Sequence, residues 1–252
     1  MVVPRWKKVL ADLWSNKVRT LLVVLSIAVG VFAVGSVASV YLIMKSDVSA
    51  NFLSINPHAA TIYTDLFDED LLFSLRKIPG VADIEGRSNT GAKFNGPDGK
   101  TYNIQIHRYP TFQETRIDRL KLEQGSAELR DHEIYLERQV AAILGYQVGD
   151  ILQVLLIDGR TRDLRVGGIV HAVNSNGFLF SQAAEAYTNA GTLEWLGGGS
   201  AYYEMVLTVS EHGDDEEHVR TVANAVADKI ERSGRTIYGT VVYHPGQHPA
   251  QQ

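Results

Sequence analysis

The sequence has 252 residues and a mass of 27.8 kDa; 45% of the residues are hydrophobic, 21% are charged, and the net charge is −5 at pH 7. This apolar content is enough for one large or two small folded domains, and it excludes a disordered chain. Cysteine is absent, which excludes disulfides, thiolate zinc sites, iron–sulfur clusters and thiol redox chemistry.

The first long predicted element is a membrane-spanning helix. Residues 20–44 contain no acidic or basic side chain and stand between Arg19 and Lys45. A helix of that length measures roughly 37 Å, which is enough to cross a hydrocarbon core of about 30 Å. A cleaved signal peptide is the main alternative, but its apolar core usually runs for only about 7–15 residues. The pattern therefore favours an uncleaved transmembrane helix at 20–45.

The leader before this span, residues 1–19, predicts both orientation and a contact with the membrane surface. It holds five Lys or Arg residues, whereas 46–75 holds none, so the N-terminus is expected to be cytoplasmic. Apolar residues at helical spacing and two tryptophans indicate an amphipathic helix lying on the membrane surface, with a plain basic anchor as the alternative. The predicted membrane-interface residues are Trp6, Lys7, Lys8, Leu10, Leu13, Trp14, Lys17 and Arg19.

Small residues recur inside the predicted span. Ser26 and Gly30 are four positions apart, and so are Gly35 and Ser39. Small side chains allow a second helix to approach closely, so these four are the predicted helix-packing positions. The pattern favours a multi-helix partner over a lone anchor only weakly, because such residues are common in any membrane helix.

The rest of the chain alternates short strands and helices. Residues 59–109 predict a β-α-β-β run, and 202–243 predict a β-α-β run with a long amphipathic helix at 214–233. Together they form the split βαβ pattern. The sequence between them is mainly β in character, with one short helix at 140–144. The fold class is therefore α+β, and the predicted parts are the leader 1–19, the span 20–45, an α/β subdomain at 46–110 and 201–244, an inserted β-rich subdomain at 111–200, and a linker tail at 245–252.

Three motifs carry a resemblance to a known family: Asn16-Lys17-Val18-Arg19-Thr20 before the span, Glu133-Ile134 at the start of a strand, and Gly145 with Val148-Gly149-Asp150 before the next strand. They resemble the MacB/FtsX-like permease subunits of ABC transporters, and the resemblance covers roughly residues 6–243. It implies that the two predicted subdomains are porter-like and sabre-like respectively and lie outside the cytoplasm.

The resemblance also implies a function and partners. It implies a non-catalytic permease subunit in the cell (inner) membrane, working with a separate ABC-type ATPase and a second permease copy or paralogue. The lipid bilayer and an extracytoplasmic adaptor or substrate are the further expected partners. Permeases of this family continue into three more membrane helices, so the sequence is expected to be part of a longer chain. A single-pass anchored binding or sensor module remains the alternative.

Few side-chain sets suggest chemistry. Gly99-Lys100-Thr101 resembles the end of a P-loop, but its position predicts a hairpin turn. The acids and histidines at 211–218 are better explained by a helix N-terminus than by a metal. We therefore predict no catalytic residue, cofactor or metal site. Beyond the leader the chain carries a net charge of about −9, which argues against a nucleic-acid partner.

Apolar residues beside glycines in the insert suggest a partner contact. Phe178, Phe180 and Trp195 are the candidate anchors, since aromatic side chains dominate contact energies. Core packing beside a glycine-rich loop is the alternative for the same residues.

Overall fold

A computed structural model describes residues 17–175 and 177–243. The predicted interface residues from Trp6 to Trp14 and the predicted tail at 245–252 lie outside the described residues. The chain divides into two compact units, Met1–Val48 and Ser49–Gln252, which are described separately.

The first helix, α1, is Lys17–Ser54, 38 residues long. It contains the apolar stretch Lys17–Val37, whose mean hydropathy is 2.5, and that stretch is the candidate membrane span in the part of the chain that the structure describes. The helix is longer at both ends than the predicted 20–45. It ends where Asn56 adopts a left-handed φ of 53° and Pro57 follows, a combination that cannot continue a helix.

Four antiparallel strands form the first sheet of the second unit. Their order is β11-β1-β10-β2. The strands are β1 (Ala60–Phe67), β2 (Val81–Arg87), β10 (Tyr202–Val209) and β11 (Ile237–Val242), and the crossing helices are α2 (Glu69–Leu75) and α6 (Glu216–Arg232). This is the predicted split βαβ arrangement, with the second sheet inserted between its second and third strands.

The helices bury one face against this sheet. In α6, apolar side chains recur every three or four residues and all are buried, while Asp215 caps the N-terminus by accepting from the Glu217 N–H at 3.0 Å. The buried positions of α6 are Val219, Val222, Ala223, Val226 and Ile230. All of them except Val222 pack with Ile62 and Leu207 from the two central strands to form the first core.

Seven strands form the second sheet, in the order β5-β8-β6-β9-β4-β3-β7, and an additional pairing of β7 with β8 closes six of them into a barrel. The strands are β3 (Asn89–Asn95), β4 (Thr101–Arg108), β5 (Lys121–Gly125), β6 (Glu133–Glu137), β7 (Ile151–Leu156), β8 (Thr161–His171) and β9 (Ala183–Thr188). Three short helices accompany it: α3 (Arg138–Leu144), α4 (Phe178–Ser181) and α5 (Ala190–Trp195).

The predicted boundary between the subdomains is wrong in one respect. Residues 89–108 were expected in the α/β part, but β3 and β4 belong to the second sheet. Phe94, Ile104 and Ile106 are buried in the second core, so this hairpin is held by the barrel. The β-α-β-β run predicted over 59–109 is therefore divided between the two sheets, with β2 in the first and β3 in the second.

A covering segment, residues 109–120, crosses the outer face of the barrel. Side chains alternate along the strands, so Ile134 and Leu136 point into the barrel while Tyr135 points outward. Tyr109 and Leu120 of the covering segment pack with Tyr135 in a third apolar cluster. The segment therefore brings the second sheet into contact with residues near the start of the domain.

Replacing Ile230 tests the first core. Ile230→Ala removes a fully buried side chain, so we expect the free energy of unfolding to fall by about 2–5 kcal/mol. The neighbouring exposed position supplies the control, since Glu231→Ala should change the free energy of unfolding by less than about 0.5 kcal/mol. Urea unfolding of the chain in detergent measures both, and equal effects would contradict the assignment of the core.

Candidate functional site at the end of the first helix

The polar contacts that tie distant parts of the domain together concentrate where α1 ends. The Asp118 N–H donates to the Asn56 carbonyl at 3.0 Å, and the Arg119 N–H donates to the Ile55 carbonyl at 2.9 Å. The Arg119 guanidinium also donates to the Ser54 carbonyl at 3.1 Å. Carbonyls at a helix C-terminus lack partners within the helix, so these bonds satisfy them and fasten the helix end to the covering segment.

Side chains add to this fastening. The Asn56 amide donates to the Arg116 carbonyl at 2.9 Å, and Lys121 Nζ donates to Asn51 Oδ1 at 3.2 Å. Phe52 is buried although its neighbour Leu53 is exposed, so one face of the last helical turn packs against the domain. The last turn of the helix is thus held by backbone bonds, side-chain bonds and apolar packing together.

Beneath these bonds lies a group of charged side chains, here named the junction cluster: His58, Glu85, Arg87, Asp118 and Glu204. His58 Nδ1 lies 2.8 Å from Asp118 Oδ2, and Arg87 bridges Asp118 at 3.8 Å and Glu85 at 2.7 Å. All four of these side chains are mostly buried. The cluster connects the start of the domain, the end of β2 and the covering segment.

Glu85 is the acceptor that fixes the covering segment. Its Oε1 accepts from the Arg116 N–H at 2.6 Å and from the Ile117 N–H at 3.2 Å. Arg87 returns a bond to the Ile117 carbonyl at 2.9 Å. Charged partners make these hydrogen bonds stronger than neutral ones, so the segment is held in register against β2.

Burial and neighbouring charge shift two pKa values in opposite directions. Burial tends to raise the pKa of Asp118, but the His58 hydrogen bond and charge and the Arg87 charge outweigh it, and the pKa is lowered. For Glu204 burial prevails over the attraction of Arg87 and His58, and its pKa is raised. The surroundings of Asp118 therefore favour its charged form, whereas burial disfavours the charged form of Glu204.

The cluster also reaches the other end of the domain. The His58 ring meets the Tyr243 ring edge-on, with centroids 4.6 Å apart. The Tyr243 N–H donates to the Ala59 carbonyl at 3.0 Å. Residues just after α1 and just after β11 are thus in direct contact beside the hydrogen-bonded His58 and Asp118.

The predicted helix-packing residues are all exposed on α1. Ser26, Gly30, Gly35 and Ser39 make no close packing contact within the described residues, and a Cβ added to either glycine would meet nothing within 4 Å. Lys17, at the start of the helix, and Arg19 are exposed as well. Their assignment to helix packing and to the membrane interface stays a prediction.

The three aromatic candidates of the insert occupy different environments. Phe178 is 6% exposed and lies in the second core, 5.3 Å from the Tyr102 ring, so its expected partner contact is wrong. Trp195 is half-buried, with the Arg162 guanidinium 4.6 Å and the His132 ring 4.0 Å from its own ring. Phe180 is 90% exposed and keeps the predicted role available.

These aromatics also do not form one tip. Phe180 lies in α4, before β9, whereas Trp195 lies in α5, after β9. A six-residue strand spans about 20 Å, which separates the two at opposite ends of β9.

The motifs considered for chemistry have structural roles. Gly99 and Lys100 lie in the turn between β3 and β4, where Gly99 has a φ of 77°. Within residues 17–175 and 177–243, no group of three or more His, Asp or Glu side chains is placed to hold a metal ion.

Sequence reasoning identified none of the junction cluster. Its contacts between different elements join residues that are far apart in sequence, His58 with Asp118 and Arg87 with Asp118. The available signal was Asn56-Pro57-His58 immediately after a long apolar helix, which marks the helix end but not the partner of the histidine.

Comparison with known proteins finds a matching family model and similar solved structures. The family model described as MacB-like periplasmic core domain matches residues 20–233. The extracellular domain of the noncanonic ABC-type transporter YknZ from Gram-positive bacteria is 12% identical, covers 72% of this chain and 99% of its own, and has a TM-score of 0.49.

The periplasmic region of MacB from Actinobacillus actinomycetemcomitans is 16% identical, with 77% and 94% covered and a TM-score of 0.43. At TM-scores under 0.5 these two similarities carry no argument about function. No curated protein matches the chain at a significant level.

Acid should reveal the Asp118 contribution to stability. The folded pKa of Asp118 lies below its unfolded value of about 3.9, so its stabilisation is present above that pH and is lost as pH falls through the folded pKa. We expect Asp118→Asn to lower the free energy of unfolding by about 1.5–3 kcal/mol at pH 7, because a charge-assisted bond is lost.

The difference between wild type and Asp118→Asn should shrink as pH falls below about 3.9 and disappear only below the folded pKa of Asp118, where the wild-type carboxyl is neutral in both states. Chemical unfolding at several pH values measures this difference. The exposed Asp214→Asn is the matched control and should behave like wild type throughout. A gap that persists unchanged at low pH would show that Asp118 acts through packing and not through its charge.

Proposed function

This chain belongs to the family of MacB-like periplasmic core domains of ABC transporter permeases, and from that premise we propose that it is a non-catalytic permease subunit of the MacB/FtsX type. In this proposal the extracytoplasmic domain relays ATP-driven motion of the membrane helices to substrate export, extraction or partner activation. The observation that carries it is the family match across residues 20–233, which includes the apolar part of α1 as well as the domain.

A relay requires that force on the helix end reach the sheets without being absorbed by a loop. The bonds from Asp118 and Arg119 to the carbonyls of residues 54–56 meet that requirement within the domain. The hydrogen bonds of Glu85 connect the covering segment to β2, and the apolar packing of the covering segment connects it to the barrel. Both sheets are therefore attached to the same short stretch of chain.

We place the chain in the cell (inner) membrane with its N-terminus in the cytoplasm. The support is the excess of Lys and Arg before the apolar stretch, together with the family of the domain. In this orientation the leader residues from Trp6 to Arg19 lie at the cytoplasmic interface. The apolar stretch of α1 then lies in the bilayer, and the more polar domain that follows it lies in water.

The proposed partners follow from the same reading. ATP hydrolysis belongs to a separate ABC-type ATPase, and a second permease copy or paralogue packs on the exposed small-residue positions of α1, from Ser26 to Ser39. Phe180, exposed at the end of the barrel domain, is the proposed contact for an extracytoplasmic adaptor or substrate.

Paired substitutions separate the contact role of Phe180 from the core role of Phe178. Phe178→Ala should lower the free energy of unfolding by about 3–5 kcal/mol, since it empties a buried site. Phe180→Ala should leave the free energy of unfolding within about 0.5 kcal/mol of the wild-type value. The same substitution should reduce substrate export, extraction or partner activation by the assembled transporter. Unchanged output with Phe180→Ala would remove this residue from the proposed contact.

Co-purification tests the proposed function. The product of the complete gene, extracted in detergent, should bring an ABC-type ATPase with it when the bound proteins are identified by mass spectrometry. An epitope-tagged membrane protein of unrelated fold, expressed at the same level, controls for non-specific capture. Reproducible absence of any ATPase would overturn the proposal and favour a single-pass anchored binding module.

A further inference from the structure

A cleft of about 710 Å³ runs beside β2, between α2 on one side and the covering segment on the other. We call it the β2 groove. Its volume lies in the range of ligand sites, and its walls are polar and charged. The side chains that matter for its chemistry are Glu69, Arg76, Glu85, Arg108, Arg116 and Tyr202.

The floor of the groove is the outer edge of a sheet. In the described part of the chain β2 pairs with β10, and the sheet order places it last. The Asp83 N–H points toward β10, where it donates to Thr208 Oγ1 at 3.2 Å. Because backbone groups alternate sides along a strand, Ile84 and Gly86 direct their N–H and C=O groups into the groove. Ala82 is the extra residue at a register shift between Val81 and Asp83, so it has no partner on β10.

The position of Arg76 agrees with this alternation. Its guanidinium donates to the Ile84 carbonyl at 3.4 Å, which shows that this carbonyl faces away from β10. No backbone hydrogen bond among the described residues occupies the outward edge from Ala82 to Gly86. An unpaired strand edge inside a cleft is a template for an added strand.

The acidic side chains of the groove already have partners. Glu85 accepts from Arg87 and from two backbone N–H groups, and Asp83 pairs with Arg116 at 3.3 Å. Glu69 Oε1 accepts from the Tyr202 hydroxyl at 2.5 Å. These three carboxylates are thereby engaged in holding the walls of the groove. Glu114, which also lines it, accepts from the Thr111 hydroxyl at 3.0 Å.

Two arginines differ from this pattern. Within the described residues, neither Arg76 nor Arg108 has a carboxylate at ion-pair distance. The Arg108 guanidinium lies 4.6 Å from the Tyr202 ring centroid and donates to the Ser200 carbonyl at 3.1 Å, while its buried Nε has no acceptor. Stacking and this bond fix the guanidinium in place, so the groove carries oriented cationic donors without anionic partners.

We propose that the β2 groove binds an extended peptide segment bearing acidic side chains, which adds to the edge of β2 as a further strand. The edge supplies the main-chain hydrogen bonds, and Arg76 and Arg108 receive the peptide carboxylates. This inference goes beyond the proposed function and does not depend on it, since peptide binding requires no ATPase.

A second copy of this chain fits the edge less well than such a peptide. In an antiparallel pair of two β2 strands centred on Ile84, Asp83 of each copy would face Glu85 of the other. Like charges directly opposite each other destabilise a strand pair. An acidic peptide instead places its carboxylates near the cationic donors.

A labelled synthetic peptide tests the groove directly. The probe is the fluorescein-labelled, C-amidated hexapeptide Val-Glu-Val-Glu-Val-Glu, and its binding to the chain in detergent is followed by fluorescence anisotropy at low and high salt. We expect saturable binding that weakens as salt rises. The Val-Lys counterpart, and the same acidic peptide N-methylated at alternate amides, should bind at least about tenfold more weakly.

Three variants localise the binding. Arg108→Gln and Arg76→Gln should each weaken it at least about tenfold, and Ala82→Pro should do the same, because it places a proline at an edge residue that has no partner on β10. Ala82 and Arg76 are exposed, so these two variants stay folded even if Arg108→Gln does not. Arg220→Gln, on the exposed face of α6, is the matched control and should bind like wild type.

Several outcomes would overturn the proposal. These are absence of binding by the acidic peptide, equal binding by the N-methylated peptide, or unchanged binding by both Ala82→Pro and Arg76→Gln. Light scattering covers the remaining case: a dimer of the chain that is lost in Ala82→Pro would show that a second copy, and not a peptide, occupies the edge.

Discussion

The hydrogen bond between His58 and Asp118 is the interaction on which the organisation of the domain depends. It joins the first residues after α1 to the covering segment, and Arg87 extends it to the end of β2. A mostly buried charge is costly unless it is paired, so these side chains hold one another in a single arrangement. The backbone bonds from Asp118 and Arg119 to the helix end rely on the same segment staying in place.

A second constraint follows from where the barrel is inserted. The split βαβ sheet would close with a hairpin between its second and third strands, but here that connection contains the whole second sheet. Two short crossings, near Ser88 and near Ser200, link the sheets, and Arg108 donates across them to the Ser200 carbonyl. The covering segment supplies the third connection, since its apolar side chains pack on Tyr135 of the barrel. The same connections form the walls of the β2 groove, so a ligand there would contact the two sheets together.

The elements with strong periodicity could be predicted from sequence, and those set by long-range pairing could not. The apolar helix, α6 and the strands of the split βαβ pattern each carry a local signal in the spacing of their apolar residues. Strands β5 and β9 do not, since the sequence Lys121–Gly125 is mostly exposed and β9 is rich in alanine.

The residues of the candidate site likewise include features that have no local sequence signal. Phe178 and Phe180 lie two residues apart beside a glycine, and nothing local distinguishes the buried ring from the exposed one. The junction cluster depends on pairings across the insert, and these exist only once both sheets have formed.

Nucleotide-dependent distance measurement between two copies tests the central claim of a relay most directly. Because the chain has no cysteine, Lys100→Cys on the exposed β3–β4 turn gives a single spin-label site. In the complex reconstituted with its ATPase, ATP should shift the label-to-label distance distribution, and adding Asp118→Asn should diminish that shift while leaving ATP binding intact. A distribution that does not respond to ATP, or responds equally with Asp118→Asn, would contradict the account.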